Sequence, residues 1–466
     1  LKCAQKYENK KYLPSKQKSM FSMRKKCFLS FFILTVLSIS MFNWYIVNVE
    51  SDSFENESSV YIVVDTGQTA FYDGSNEISM PDLGEYFYGQ DAQYVGVQPA
   101  YWDNSDGTVT DLNTGLMWQK NPGEKMTYTE AVARVDTFDL AGYTDWRLPS
   151  IKELYSLIQF NGIDPSGYNG NTEGLVPFIN STFFEFSYGN PSLGERIIDS
   201  QFASSSLYVG DTEFGGGDLM FGVNFADGRI KGYPIGPMQG QEDGKLFYVL
   251  YVRGNGEYRK NNFLDNGDGT VTDLSTGLMW QQEDSKTGMN WEDALILAEN
   301  LDLAGYDDWR LPNAKELQSI VDYSRSPSTQ DSAAIDPVFQ TTTIIDEGGK
   351  KNYPFYWTST THENLQNGGG AVYIAFGETL GWIETPSGDF ELMDVHGSGA
   401  QRSDPKNGNP ADYPYGQGPQ GDVIRIYNYV RCVRGGDVVV VPEFSSLLML
   451  PILITTILAA IILQKI

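Results

Sequence analysis

The sequence predicts an α+β protein made of two tandem homologous domains set between an export segment and a C-terminal apolar segment. Three observations predict it: a long internal repeat, capping signals for two helices in each copy, and apolar runs confined to the two ends. Residues 103–120 recur at 265–282 with 15 of 18 positions identical, and residues 139–154 recur at 302–317 with 13 of 16 identical. A spacing of 162 to 163 residues is too long for a solenoid unit and marks whole domains, placed here at 100–255 and 260–436.

From the N-terminus, residues 1–22 read as untranslated sequence or a basic leader, with Met20 and Met23 as candidate starts. Residues 23–49 read as a signal peptide or a signal anchor. Met23-Arg-Lys-Lys-Cys leads into the apolar run Phe28–Leu37, and Ser38 and Ser40 offer a small-x-small cleavage site. Residues 50–99 read as a Ser/Glu/Asn-rich linker followed by an added strand at Tyr61–Val64.

Inside each copy, Asn266-Gly-Asp-Gly269 before Thr270-Val-Thr272 predicts a hairpin turn feeding a strand, and Leu278-Met-Trp280 predicts the next buried strand. A first helix starts at Thr127 with Glu130, or Asn290 with Asp293, and Gly142 and Gly305 are expected to stop it. A second follows Trp-Arg-Leu-Pro, capped by Ser150 with Glu153 and by Asn313 with Glu316. Leu154, Leu157 and Ile158, like Leu317, Ile320 and Val321, take the spacing of one buried helix face. The remainder of each copy is Gly-rich and aromatic, which predicts short strands joined by long loops.

At the other end, Leu447–Leu463 is apolar, and Pro442-Glu-Phe444 stands before it with Lys465 after it. Residues 442–466 therefore read either as a transmembrane anchor or as a sorting signal, since they resemble the PEF-type tail of archaeal surface proteins. That resemblance implies a membrane-bound sorting transpeptidase as a partner. In both readings the middle of the chain lies outside the cell.

Charge follows the same division. Residues 1–49 hold nine Lys/Arg against one acid, a balance of +8, and 442–466 hold one of each, so residues 50–441 carry −35 of the net −27. A field of that sign excludes a nucleic-acid partner and favours cations.

The set Asp-Gly-Thr-Val-Thr-Asp, Thr-Gly-Leu-Met-Trp-Gln, Gly-Tyr-x-Asp-Trp-Arg-Leu-Pro, Lys-Glu-Leu and Val-Arg-Cys-Val-Arg resembles the Legionella collagen-like protein C-terminal domain family. Both copies match; the first departs at Leu250-Tyr251, where the second has Arg431-Cys432, and at Phe202-Ala-Ser-Ser205, where the second has Tyr356-Trp-Thr-Ser359. Trp-Arg-Leu-Pro before a capped helix is also similar to the formylglycine-generating group, a variant of the C-type lectin-like fold. The resemblance thus implies two such folds in a surface or secreted protein.

An enzyme of that group needs paired thiols for copper, and its sulfoxide-forming relatives need three histidines for iron. Past the leader the chain has only Cys432, His362 and His396, so no enzymatic activity is expected. Cys432, replaced by Tyr251 in the first copy, reads as a small buried strand residue. No cofactor is expected, with calcium the one candidate. Asp106, Asp111, Asp268 and Asp273 stand in Asp-rich turns, but Leu264 occupies the first ligand position of the nearest calcium-loop register, which favours a plain hairpin. The Trp146-Arg147 and Trp309-Arg310 pairs read as core tryptophans and helix-to-sheet ties. Trp357, Trp382 and His396 are the candidate ligand-binding residues, close to or within an insertion at Ser387–Gly421. The expected function is a membrane-anchored cell-surface binding protein whose lectin-like modules recognise a glycan or a surface protein; the alternative is a structural envelope or matrix protein.

Overall fold

The computed structural model describes residues 61–237 and 244–436, together with the backbone of 439–440. The expected leader and signal (1–22, 23–49), most of the linker, and the tail at 442–466 lie outside the described residues. Among the described residues no helix is long and apolar enough to cross a membrane.

The first copy contains β1 (Tyr101–Asp103), β2 (Thr108–Asp111), β3 (Leu116–Gln119), α1 (Tyr128–Arg134), α2 (Ile151–Tyr155), β4 (Gln201–Leu207), β5 (Leu219–Asn224), β6 (Arg229–Pro234) and β7 (Val252–Gly254). The second contains β8 (Phe263–Asp265), β9 (Thr270–Asp273), β10 (Leu278–Gln281), α3 (Trp291–Glu299), α4 (Ala314–Ser319), β11 (Phe355–His362), β12 (Gly370–Ala375), β13 (Leu380–Glu384), β14 (Phe390–Asp394), β15 (Gln401–Pro405) and β16 (Val433–Gly435). Among the described residues the structure is mostly β with few helices, the longest of them nine residues.

Each copy starts with the predicted hairpin. Asp268 accepts from the Thr270 backbone N–H (3.1 Å) and hydroxyl (2.6 Å), closing the turn between β8 and β9, and Asp106 does the same for Thr108 between β1 and β2. Four-stranded antiparallel sheets result, in the order β7-β3-β2-β1 and β8-β9-β10-β16. Val271, Leu278 and Trp280 turn inward from the second sheet, as Val109, Leu116 and Trp118 do from the first.

Trp-Arg-Leu-Pro does what its residue types predict. Trp146 and Trp309 are core, their indole N–H groups donating to the carbonyls of Leu140 and Leu303. Arg310 grips Glu316 through two 2.6 Å bonds, and Glu316 also closes the capping box of α4 by accepting from the Asn313 N–H. One carboxylate therefore fixes the helix start to the segment that pairs with β16 at Arg310–Val433. Arg147, Glu153 and Ser150 repeat the arrangement at α2.

Two expectations are corrected. Gly142 and Gly305 do not stop a helix: α1 and α3 end at Arg134 and Glu299, and each glycine sits with Ala141 or Ala304 at positive φ in a two-residue turn between the bridged pairs Leu140–Tyr143 and Leu303–Tyr306. Positive φ at both central residues is the type I′ turn, for which Gly is suited as well as for a helix stop. Tyr61–Val64 joins no strand ladder. The segment is extended and buried at Tyr61 and Val64, with the Tyr61 N–H donating to Ser275 of the second copy and the Phe160 N–H of the first donating to Thr66.

The copies meet in a six-stranded antiparallel sheet ordered β11-β12-β15-β6-β5-β4. Its halves mirror one another, β4, β5 and β6 corresponding to β11, β12 and β15, with Ile230 opposite Gln401 at the seam. The core crosses the seam as well, since Ala314 and Val372 of the second copy pack in the cluster formed by α2 and β5 of the first. The copies differ between the matching strands: β5 and β6 are joined by residues 225–228 alone, whereas β12 and β15 are separated by the hairpin β13–β14. The segment Ser387–Gly421, expected as a surface insertion, thus holds β14 and the sheet strand β15.

Candidate functional site

The added hairpin builds a cleft of about 500 Å³ on the second copy. β13 carries Trp382, anchored by its backbone N–H donating to Gly421 at 2.8 Å and by edge contact with Tyr415. Glu347, Arg425, Tyr427 and Tyr429 line the same cleft, together with Pro410 and Tyr413. Arg425 lies over the Phe355 ring, 3.9 Å from its centre, and holds Glu347 in a two-bond pair at 3.0 and 3.1 Å. Burial alone would raise the Glu347 carboxyl, but Arg425 holds it below its ordinary range.

The backbone beside Arg425 is strained. Tyr427 donates its N–H to the Arg425 carbonyl, a three-residue turn with Ile426 in its centre at φ +64°. A β-branched residue avoids that region, so the turn persists only because its surroundings fix it. Asp404 of β15 supplies the fixing: one carboxylate oxygen accepts from the N–H of Arg425, the N–H of Ile426 and the Asn428 amide. Burial pushes Asp404 up to about 6. The buried Oδ1 of Asn428, a residue lining the cleft, has no partner.

The structure separates the three candidate ligand residues. Trp382 is half-buried at the cleft. Trp357 is fully buried on β11 within the core around α3, its indole donating to the Met289 carbonyl at 2.9 Å, so no face is open to a ligand. Its position in the central sheet, opposite Tyr373, is the reason. His396 is also buried, its Nε2 lying 2.7 Å from Asp422 and 2.7 Å from Arg402, and burial followed by the Arg402 charge lowers it to about 4. It serves a buried charge network with Asp422 and Arg402.

The four aspartates proposed for calcium do not converge. Asp106 and Asp268 close hairpin turns, Asp111 accepts from the N–H groups of Asn113 and Thr114, and Asp273 accepts from Asn262, Ser275 and the Asn261 amide. Among the described residues no three His, Cys, Asp or Glu side chains gather as a metal site. Cys432 is buried, and burial raises its thiol far above the ordinary value. The residues the sequence left unmarked, Arg425, Tyr427 and Glu347, are joined to Trp382 by the insertion; the lack of any counterpart to that insertion in the first copy was the available signal.

What the cleft offers is aromatic faces beside a fixed Arg–Glu pair. The Lcl C-terminal domain model matches residues 107–253 and again 269–388. The chain belongs to the Lcl C-terminal domain family. Its two Lcl domains correspond to the two copies described above, and membership of this surface-associated family is consistent with a cell-surface, extracellular protein. In the second Lcl domain the match ends at residue 388, inside the β13–β14 hairpin, so Trp382 and Glu347 fall within it and Arg425 beyond it. No curated protein and no solved structure matches the chain.

Proposed function

We propose that this is a non-enzymatic cell-surface adhesion protein whose second Lcl domain, a lectin-like module, recognises a glycan at the Trp382 cleft. The observation that carries the reading is the pairing of a partly exposed tryptophan with an immobilised Arg425–Glu347 pair, in a cleft bordered by the β13–β14 hairpin that stands between the matching strands of the second copy and not of the first. Sugars have apolar ring faces that stack on aromatic rings and hydroxyl rims that bond to fixed polar groups. A rigid pair loses little freedom on binding, which favours recognition by a shallow cleft. In this reading the segment 442–466 anchors the protein to the membrane or hands it to a sorting transpeptidase, and the acidic exterior keeps nucleic acid away.

A glycan array probed with the full-length protein, with calcium and with a chelator, tests the reading. Binding that Trp382→Ala abolishes supports it, and equal signals in both conditions remove calcium from it. Absence of binding to every glycan, together with ordered self-assembly, would replace it with a structural envelope role.

A further inference from the structure

A second cleft, of about 660 Å³, lies between the copies and holds an unpaired cation. Arg259 lines it and is 4% exposed, yet its Nε and Nη2 donate to nothing. Its one close hydrogen bond runs from Nη1 to the Lys315 carbonyl at 3.4 Å, and among the described residues no carboxylate lies within ion-pair distance. A buried guanidinium without a counter-charge is costly, and native proteins answer such a group with a partner. Here the neighbouring polar groups are tyrosine hydroxyls and a lysine, none of which supplies a counter-charge. The buried hydroxyls of Tyr155 and Tyr258 make no close hydrogen bond and lie within electrostatic reach of the guanidinium, which rests beside the Tyr258 ring at 5.2 Å and, with Ser156, neighbours the Tyr258 hydroxyl. Lys152 lines the same cleft; burial and then the Arg259 charge lower its ammonium to about 7.

The acids at this cleft are already engaged. Glu153 is bonded to Arg147, Asp322 to the Ser324 N–H and hydroxyl, and Asp336 to the Val338 N–H. Arg259 itself is held at φ +68°, a backbone state that a non-glycine residue keeps only when its surroundings impose it.

We propose that the cleft between the copies is a binding site for a small oxyanion, free or as the acidic group of a sugar, with Arg259 as the anchoring cation and Tyr258 as a second donor. The strongly negative net charge repels polyanions at a distance, whereas a single small group bound at Arg259 meets a local cation, the acids of the cleft being held by their own partners. The site is separate from the Trp382 cleft and stands or falls independently of glycan recognition there.

The test uses the full-length protein. Crystals soaked in selenate should show an anomalous peak within hydrogen-bond distance of the Arg259 guanidinium. In solution at constant ionic strength, sulfate should raise the melting temperature of the wild type but not of Arg259→Gln, and Tyr258→Phe, which keeps the ring, should weaken selenate binding by about tenfold. If Arg259→Gln does not fold, Tyr258→Phe decides alone. Glucuronate binding more tightly than sulfate identifies the oxyanion as the acid of a sugar, and equal affinity identifies a free ion. Glucose binding as well as glucuronate, or no peak at Arg259 with a melting response that Tyr258→Phe leaves unchanged, overturns the proposal and leaves the space to water.

Discussion

The Lys315 ammonium of the second copy donates to the Ser156 carbonyl of the first at 3.0 Å, and the equivalent Lys152 of the first copy donates to the Ser319 carbonyl of the second at 2.8 Å. Each lysine thereby reaches the C-terminal end of the other copy's short helix, where the unpaired carbonyls favour a cation. Reciprocal contacts of this kind are what a two-fold axis produces.

Burial, with Arg259 adding to it, lowers Lys315 from 10.5 to about 7. Between those values the unfolded chain binds a proton that the native state does not, so stability rises with pH across the window. Lys315→Met lacks this dependence. The stability difference between wild type and variant, measured by denaturant titration from pH 7 to 10, should shift in favour of the wild type by up to about 1.4 kcal/mol per pH unit. A flat difference would show that the lysine is not buried as described.

Asp91 runs the other way. It lies fully buried, accepting from the hydroxyls of Thr66 and Thr360, and burial with the nearby Asp65 charge pushes it up to about 7. A raised acid gives its full stabilisation below its unfolded value and loses it as pH climbs through the folded one. Asp91→Asn keeps an acceptor for both threonines, so the variant should match the wild type near pH 4 and melt progressively higher than it towards pH 7.

The duplicated Arg–Glu pair offers a controlled comparison. Arg310 and Glu316 have side chains 5% and 4% exposed, whereas Arg147 is 35% exposed. Glu316→Ala strands a buried guanidinium and removes the reciprocal half of the α4 capping box, at a cost of about 3 to 5 kcal/mol. Glu153→Ala leaves Arg147 free to hydrate and should cost about 1 to 2 kcal/mol, chiefly the lost half of the capping box. Paired unfolding curves check the order.

The two tryptophans separate core from site. Trp357→Ala should destabilise by about 3 to 5 kcal/mol through the cavity it opens. Trp382→Ala should leave the melting temperature within a few degrees of wild type while glycan binding falls by about tenfold or more. Equal losses of stability would place Trp382 in the core.

Much of this was legible in local sequence. Ser150 with Glu153, Asn313 with Glu316, and the Asn-Gly-Asp-Gly turn each settle their own few residues, because caps and tight turns are governed by side chains three or four positions apart. Gly142 was misread because a positive φ serves a type I′ turn as readily as a helix stop. Trp357 and Trp382 look alike in sequence; only the pairing of β11 with β12, and the interposed β13–β14 hairpin, put one inside and one at a cleft. The contacts of Lys152 with Ser319 and of Arg259 with Lys315 span distances along the chain that no local pattern encodes.

The strand order that reads alike from both ends has a practical meaning for anyone dividing the molecule. Cutting between the copies near residue 258 would leave β6 with a bare row of backbone donors and acceptors, and would open the Ala314 and Val372 side of the core to water. The liberated fragment should recover its lost neighbour by embracing a second molecule of itself, so a solitary copy is expected to elute as a homodimer.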